Sequence, residues 1–143
     1  MVETTQNILV ALSNLSYFLV ALWLYMTHHK YAEFLVAVGV VSTVFHLIPN
    51  TSWAYWSDII TANATIAWFL IVYGLRIKHH DRQLLALSLA CFLFGFIFFE
   101  FCCKQETCDR QTAKYVWMHS AWHALTAIAL YFLVKSTDGT TLR

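Results

Sequence analysis

The chain has 143 residues, of which 59% are hydrophobic, 17% aromatic and only 12% charged. Soluble domains carry about a quarter of their residues as charged side chains, so this composition excludes an ordinary water-soluble enzyme and a disordered chain. Nine Lys and Arg against eight Asp and Glu leave no basic surface, which excludes a nucleic-acid partner. The class that remains is an integral membrane protein.

Five apolar stretches, separated by clusters of charged residues, predict five membrane-spanning helices in a single transmembrane domain that covers residues 1–143. A spanning helix needs about 20 residues, and each stretch is close to that length. One Pro and four Gly in the whole chain predict that each helix is continuous. The predicted fold class is therefore all-α, a membrane bundle with spans over residues 8–26, 31–47, 56–75, 84–102 and 115–134.

The loop charges predict how the five spans are oriented, because Lys and Arg favour the cytosolic side. Six of the nine basic residues fall on the side that also holds the C-terminus. The side that holds the N-terminus carries only Lys104, Arg110 and Lys114. We therefore expect a multi-pass protein with an exoplasmic or luminal N-terminus and a cytosolic C-terminus.

Polar residues inside three of the spans form a regular pattern. The second span ends with Ser42 and His46 in an S-x-x-x-H spacing. The fifth span contains His119 and His123 in an H-x-x-x-H spacing, and Asp58 lies near the start of the third span. Side chains four residues apart share one face of a helix. With an odd number of spans, all five residues fall at a similar depth in the same half of the membrane.

These residue types point to a metal centre with catalytic capacity. Three imidazoles that leave one coordination position open are typical of catalytic zinc, so His46, His119 and His123 are the predicted ligands of Zn²⁺. Zinc in such a site activates a water and polarises a carbonyl. Asp58 is then the candidate general base. The Ser42 hydroxyl either donates to a developing oxyanion or orients His46 or the water.

The same residues resemble a known family, the CREST superfamily of membrane hydrolases. That superfamily includes alkaline ceramidases, progestin and adipoQ receptors, GPI-remodelling phospholipases, Sid-type transporters and myomaker-like proteins. The Ser-Asn element in residues 11–15 is similar to the ceramidase branch, and residues 98–100 with 115–123 are similar to the myomaker-like branch. The resemblance implies a zinc site formed by the three histidines, with Ser42 and Asp58 beside it.

The family resemblance also implies a shortened bundle, since its members usually have seven spans and this chain has five predicted ones. The wall of the lipid pocket would be incomplete without oligomerisation, and the sequence does not decide whether the protein forms a homo-oligomer. Three cysteines at or after the end of the fourth span, Cys102, Cys103 and Cys108, leave a disulfide equally open.

The expected function is zinc-dependent hydrolysis of a lipid amide such as ceramide, or of a lipid ester, with the lipid entering sideways from the bilayer. Two alternatives stand beside it. One is a receptor or membrane-remodelling factor without enzymatic activity, in which the zinc site is structural. The other, less favoured, is a b-type haem protein in which His46 faces His119 or His123 across the haem.

Overall fold

The computed structural model describes residues 2–27, 32–48, 52–73, 81–103 and 113–137, and these residues contain helices but no strand. The prediction of an all-α fold is therefore confirmed. From the second predicted span onward, helix ends agree with the predicted ones to within about one turn. The helices are α1 (Val2–Ser13), α2 (Leu15–Met26), α3 (Ala32–Leu47), α4 (Ser52–Val72), α5 (Arg82–Cys103) and α6 (Ala113–Lys135).

The first predicted helix is interrupted at Asn14, which corrects the expectation that every helix is continuous. The backbone N–H of Asn14 donates to the carbonyl of Ala11 at 3.2 Å, and that of Tyr17 donates to the carbonyl of Asn14 at 3.0 Å. These bonds span three residues, as in a 3₁₀ turn. The Ser13 hydroxyl donates to the carbonyl of Val10 at 2.6 Å, and such side-chain bonds compete with the regular helical pattern.

Helix α6 is the centre of the described bundle. It packs most extensively along α5 and also contacts α1 and α2, whereas α3 packs on α1, α2 and α4. The Ser88 hydroxyl joins α5 to α6 by donating to the carbonyl of Ala129 at 2.8 Å. On the other side, a methyl group added at Gly39 would lie 2.8 Å from the Phe18 ring. The absence of a side chain at Gly39 therefore allows α3 to approach α2 closely.

The main apolar cluster fills one end of the bundle. It unites the C-terminal halves of α2, α4 and α6 with the N-terminal half of α3, so α2, α3 and α4 run antiparallel in succession. Its largest fully buried side chains include Leu24, Leu35, Phe69, Tyr73 and Leu130. A smaller cluster of Val10, Tyr115 and Val116 lies towards the opposite end, and the polar residues of the candidate site lie between the two.

The outward faces of several helices are strongly apolar. On α2, Leu15, Leu19 and Leu22 are each more than half exposed, and α5 exposes a comparable set, Leu89, Leu93, Phe94 and Phe96. Continuous apolar surface of this kind marks contact with lipid or with another protein. Within the described residues, Asn7–Met26 and Arg82–Glu100 are long and apolar enough to cross a membrane, and Ala32–Leu47 and Trp56–Val72 are shorter apolar helices.

Candidate metal centre

Three histidines from two helices meet inside the bundle. His46 lies in the last turn of α3, and His119 and His123 lie one turn apart in the first half of α6. The ring of His46 is centred 4.8 Å from that of His119 and 5.4 Å from that of His123. The two rings on α6 are 4.7 Å apart. The structure thus brings together the three metal ligands predicted from the sequence.

This cluster is close enough to hold a metal ion. One nitrogen from each ring lies within 4.8 Å of the other two, and His46, His119 and His123 are 5%, 5% and 1% exposed. Ligand nitrogens around a tetrahedral ion are about 3.3 Å apart, given metal–nitrogen distances near 2.0–2.1 Å. The three rings therefore need only small rotations to converge on one ion, and a set of three neutral imidazoles suits a divalent transition metal.

Aromatic rings surround the histidines of α6. Tyr115 stacks on His119 with ring centroids 5.1 Å apart. Trp122 lies between the two histidines in sequence and contacts both, at 5.4 Å from His119 and 5.1 Å from His123. Phe99 of α5 packs on Trp122 at 4.7 Å. These contacts restrict rotation of the imidazoles of His119 and His123 and cover one side of them with aromatic rings.

Ser42 and Asp58, the two predicted catalytic residues, lie together in the structure. Ser42 is one turn before His46 on α3 and is 2% exposed, and Asp58 is in the second turn of α4 and is 7% exposed. The two side chains interact with each other. Among the described residues, the Ser42 hydroxyl makes no hydrogen bond of regular geometry.

Ser13 contacts the cluster directly, and the sequence did not predict this contact. Its hydroxyl oxygen lies 2.8 Å from Nδ1 of His123. The bond joins the C-terminal end of α1 to the first half of α6. The signal that was present in the sequence is a Ser-Asn pair in the middle of an otherwise apolar segment.

Tyr17 and Thr126 also border the cluster, and neither was predicted. The Tyr17 ring is centred 6.0 Å from that of His123. Its hydroxyl interacts with Thr126 and lies within range of the charge of Asp58. The signal available in the sequence was helical spacing, because residues three or four apart share one face of a helix. Thr126 is three residues beyond His123, and Tyr17 is four residues beyond Ser13. Tyr17 therefore links α2 to α6 beside the histidines, with Asp58 of α4 in the same region.

Asn14 adds a buried amide to the surroundings of the cluster. It is 0% exposed, and neither the nitrogen nor the oxygen of its amide bonds to any residue that the structure describes. Leaving a buried polar group without a partner costs about 1–3 kcal/mol. Asn14 follows Ser13 in the chain and lies on the buried face of the first helical run, between Val10 and Tyr17.

Cys91 is the cysteine whose side chain the structure describes. Cys91 is a half-buried free thiol. Cys108 and the side chains of Cys102 and Cys103 lie outside the described residues, as do Lys104 and Arg110. The structure therefore tests neither the disulfide left open above nor the charge distribution from which the orientation was predicted.

Comparison with protein families, curated proteins and solved structures finds no match to this chain. The class of protein is thus defined by its own fold and site. It is an all-helical bundle with apolar outer faces, two helices able to cross a membrane, and three buried histidines close enough to hold a metal ion.

Proposed function

We propose that the protein is an integral membrane hydrolase in which His46, His119 and His123 hold one zinc ion and that its substrate is a lipid amide or ester. The observation that carries this proposal is the buried cluster of three imidazoles. The interacting pair of Ser42 and Asp58 supports it further, because these are the polar groups that hydrolysis requires beside the metal. The resemblance to the CREST superfamily favours the same residues in the same roles.

The proposed membrane arrangement has five spans. It is supported by the apolar outer faces of α2 and α5 and by the alternating directions of α2, α3 and α4. His46 is near the C-terminal end of α3, and His119 and His123 are in the N-terminal half of α6. If α3 and α6 cross the membrane in opposite directions, the three histidines lie at one level of the bundle. With the orientation predicted from loop charge, this level is in the exoplasmic or luminal half of the membrane.

Zinc is the metal we propose, because three imidazoles with one open position are typical of catalytic zinc. When bound, the ion supplies a Lewis acid for the substrate carbonyl and lowers the pKa of a water. A haem is disfavoured, since a porphyrin held between two axial histidines would keep their rings farther apart than the 4.8 and 5.4 Å that separate His46 from its neighbours.

The chain's own residues would then carry the proton and the developing charge. Asp58 takes the proton from the attacking water as the carbon–oxygen bond forms, and it returns that proton to the leaving nitrogen or oxygen as the old bond breaks. Ser42 donates its hydroxyl proton in a hydrogen bond to the carbonyl oxygen as negative charge develops there. Asn14 offers a buried donor and acceptor for another polar group of the lipid.

The lipid would reach the site sideways from the bilayer. Helices α3 and α6 carry the histidines, yet neither this pair nor α4 with α6 is among the extensively packed helix pairs. A lipid headgroup would enter at this weakly packed side, while its chains remain along the apolar outer faces. The bundle is short for a CREST-like protein, so a second copy is the natural candidate to complete the wall.

One alternative has a specific observation in its favour. The ligand set is no more than 5% exposed and aromatic rings pack around it, which also suits a structural zinc site in a receptor or a membrane-remodelling factor. In that case the metal stabilises the contact between α3 and α6 and no lipid is consumed. The histidine geometry is common to both functions, so turnover decides between them.

The experiment measures metal content and lipid cleavage in one detergent-purified preparation. We expect about one zinc per chain, as a three-imidazole site implies, and release of fatty acid from one or more members of a panel of ceramides and lysolipids. The double variant His119→Ala, His123→Ala should lose the metal, whereas Trp117→Ala should keep it, because Trp117 is on the same helix and 76% exposed. Full zinc with zero turnover would establish the structural alternative. A metal-free wild type that stays metal-free after zinc addition would refute both.

A further inference from the structure

We propose that Ser13 is a positioning residue of the metal centre: it fixes the tautomer of His123, so that Nε2 is the nitrogen presented to the ion. This inference rests on the metal site proposed above, but it is independent of whether the protein hydrolyses a lipid. It assigns a function to the Ser13 hydroxyl, which lies at the interruption between α1 and α2 and which the proposed hydrolysis does not use.

Two hydrogen bonds of one hydroxyl determine the direction of proton donation. Ser13 Oγ lies 2.6 Å from the carbonyl oxygen of Val10 and 2.8 Å from Nδ1 of His123. A carbonyl oxygen can only accept, and a hydroxyl has a single proton to give. The proton of Ser13 is therefore given to Val10, and the contact with His123 requires the imidazole to donate.

It follows that Nδ1 of His123 carries the ring proton. In a neutral imidazole the other nitrogen then holds the lone pair, and in His123 this is Nε2. The ring is 1% exposed, and Nε2 accepts no hydrogen bond from any residue that the structure describes. A buried acceptor that receives no hydrogen bond from the described part of the chain, in a cluster with two other imidazoles, is suited to bind a cation.

The opposite tautomer would be unfavourable for the site. With the proton on Nε2, the lone pair of Nδ1 would require the Ser13 hydroxyl to donate to it, and the 2.6 Å contact with Val10 would be left without a proton. Nε2 would then direct a proton towards the place where the three imidazoles converge. Metal-binding histidines commonly donate their second N–H to such a partner, and losing that partner usually weakens metal binding about 10- to 100-fold.

The local helix geometry explains how Ser13 reaches His123. Ser13 is the last residue of α1, and the turn at Asn14 follows it directly. The carbonyl of Ser13 accepts a hydrogen bond from the Ser16 hydroxyl at 2.8 Å, and this bond stabilises the turn from its C-terminal side. The hydroxyls of Ser13 and Ser16 therefore both stabilise the interruption, but only that of Ser13 contacts the imidazole.

The first measurement is made on metal-free protein and so does not depend on catalysis. Nitrogen-15 NMR of protein labelled in histidine distinguishes a protonated from an unprotonated ring nitrogen, and His123 is assigned by comparison with His123→Ala. We expect wild-type His123 to be protonated at Nδ1. Protonation at Nε2 in the wild type would overturn the proposal, whatever the variants do.

The second measurement is zinc affinity, determined by competition with a chelator. Ser13→Ala should bind zinc about 10- to 100-fold more weakly and lose the preference for the Nδ1–H tautomer. Ser13→Thr keeps a hydroxyl and should retain both properties. Ser16→Ala is the matched control, because it removes the other hydroxyl bond of the same turn and should leave affinity and tautomer unchanged.

Each outcome separates this inference from the proposed hydrolysis. If Ser16→Ala weakens zinc binding as much as Ser13→Ala does, the structure of the turn sets the affinity and not the Ser13 hydroxyl. If folded Ser13→Ala binds zinc with wild-type affinity, neither the turn nor the hydroxyl sets it. Both results refute the inference. If Ser13→Ala fails to fold, the wild-type tautomer and Ser13→Thr decide the question. Absence of lipid turnover in a protein with the expected tautomer and affinity would refute the hydrolase and leave Ser13 in its role.

Discussion

Ser42 and Asp58 are on different helices, yet their side chains interact in the interior, where they are 2% and 7% exposed. Ser42 lies one turn before His46 on α3, and Asp58 lies in the second turn of α4. An acidic group buried to this extent is costly to retain in an apolar bundle. Its retention beside the Ser42 hydroxyl is explained if it works as a base, and substitutions can test this.

The first prediction concerns that base. Asp58→Asn keeps the size of the side chain and its capacity to hydrogen-bond, but it removes the group that accepts a proton. We expect the variant to retain zinc and to release fatty acid at least about 10²-fold more slowly than the wild type, the usual scale for loss of a general base. Zinc content and turnover are measured on the same sample.

Ser42→Ala is the companion of that substitution and tests the oxyanion contact. It should also retain zinc and should lose turnover by about 10²-fold if the hydroxyl meets the developing charge. Asn63→Ala is a matched control on α4, because the Asn63 amide bonds the carbonyl of Ile59 in its own helix and is exposed. Undiminished turnover in zinc-loaded Asp58→Asn would eliminate the proposed mechanism.

The sequence predicted the helices and the histidine cluster because both follow from strong local patterns. Apolar length and scarce Pro and Gly give the helices, and the i, i+4 spacing on α6 places His119 and His123 on one face. His46 could be added only through the odd number of spans, which set its depth. The meeting of these three side chains in the structure agrees with that reasoning.

What the sequence left out depends on tertiary contact. Ser13 contacts His123 at the end of α1, where the helix is interrupted, and nothing in the apolar pattern of the first span requires that interruption or that contact. Tyr17 resembles an ordinary interfacial aromatic until α2 is packed against α6, which places its ring 6.0 Å from that of His123. Periodicity identifies the buried face of a helix but not the residue that the face will meet.

The second prediction concerns Asn14 and separates stability from function. Leu has nearly the shape of Asn, so Asn14→Leu removes two polar atoms that bond to none of the described residues without leaving a large cavity. We expect the free energy of unfolding to rise by about 1–3 kcal/mol, seen as a higher midpoint of thermal unfolding in detergent, and lipid turnover to fall. Ser88→Ala is the control, since the Ser88 hydroxyl bonds the Ala129 carbonyl, and its loss should lower the midpoint.

A fall in stability of Asn14→Leu would show that the amide has a protein partner, and unchanged turnover would show that it does not meet the substrate. We expect Asn14→Leu to be more stable and to lose turnover, the usual trade-off between stability and activity at a functional residue. This result would identify Asn14 as a polar group kept for a ligand.

The third prediction tests the close approach of α3 to α2. In Gly39→Ala the added methyl would meet the Phe18 ring at 2.8 Å, a distance that requires one side chain or helix to move. Overpacking of this kind costs about 1–3 kcal/mol, against which the better helix propensity of Ala returns up to about 1 kcal/mol. We therefore expect a small net loss of thermal stability.

A double-mutant cycle isolates the contact from the propensity term. Gly39→Ala should be stabilising in a Phe18→Ala background, where the obstructing ring is absent, although it is destabilising in the wild type. Gly95→Ala provides a comparison, because its added methyl would meet atoms of α6 at an ordinary 3.5 Å. Additive effects of the substitutions at positions 39 and 18 would show that α2 and α3 are not in close contact at this point.

The last prediction concerns the membrane. The main apolar cluster contains the C-terminal halves of α2 and α6, so the end of the described chain lies at that end of the bundle and the start of α1 lies at the other. If the helices cross a bilayer as proposed, the two termini are on opposite sides, and the excess of basic residues places the C-terminus in the cytosol. A C-terminal tag should then be accessible to protease from the cytosolic side of sealed vesicles, and an N-terminal tag only after the vesicles are opened.

If both tags were accessible from one side, the number of spans would have to be even. That result would place His46 and the α6 histidines at different depths of the membrane and would contradict the proposed site together with the topology.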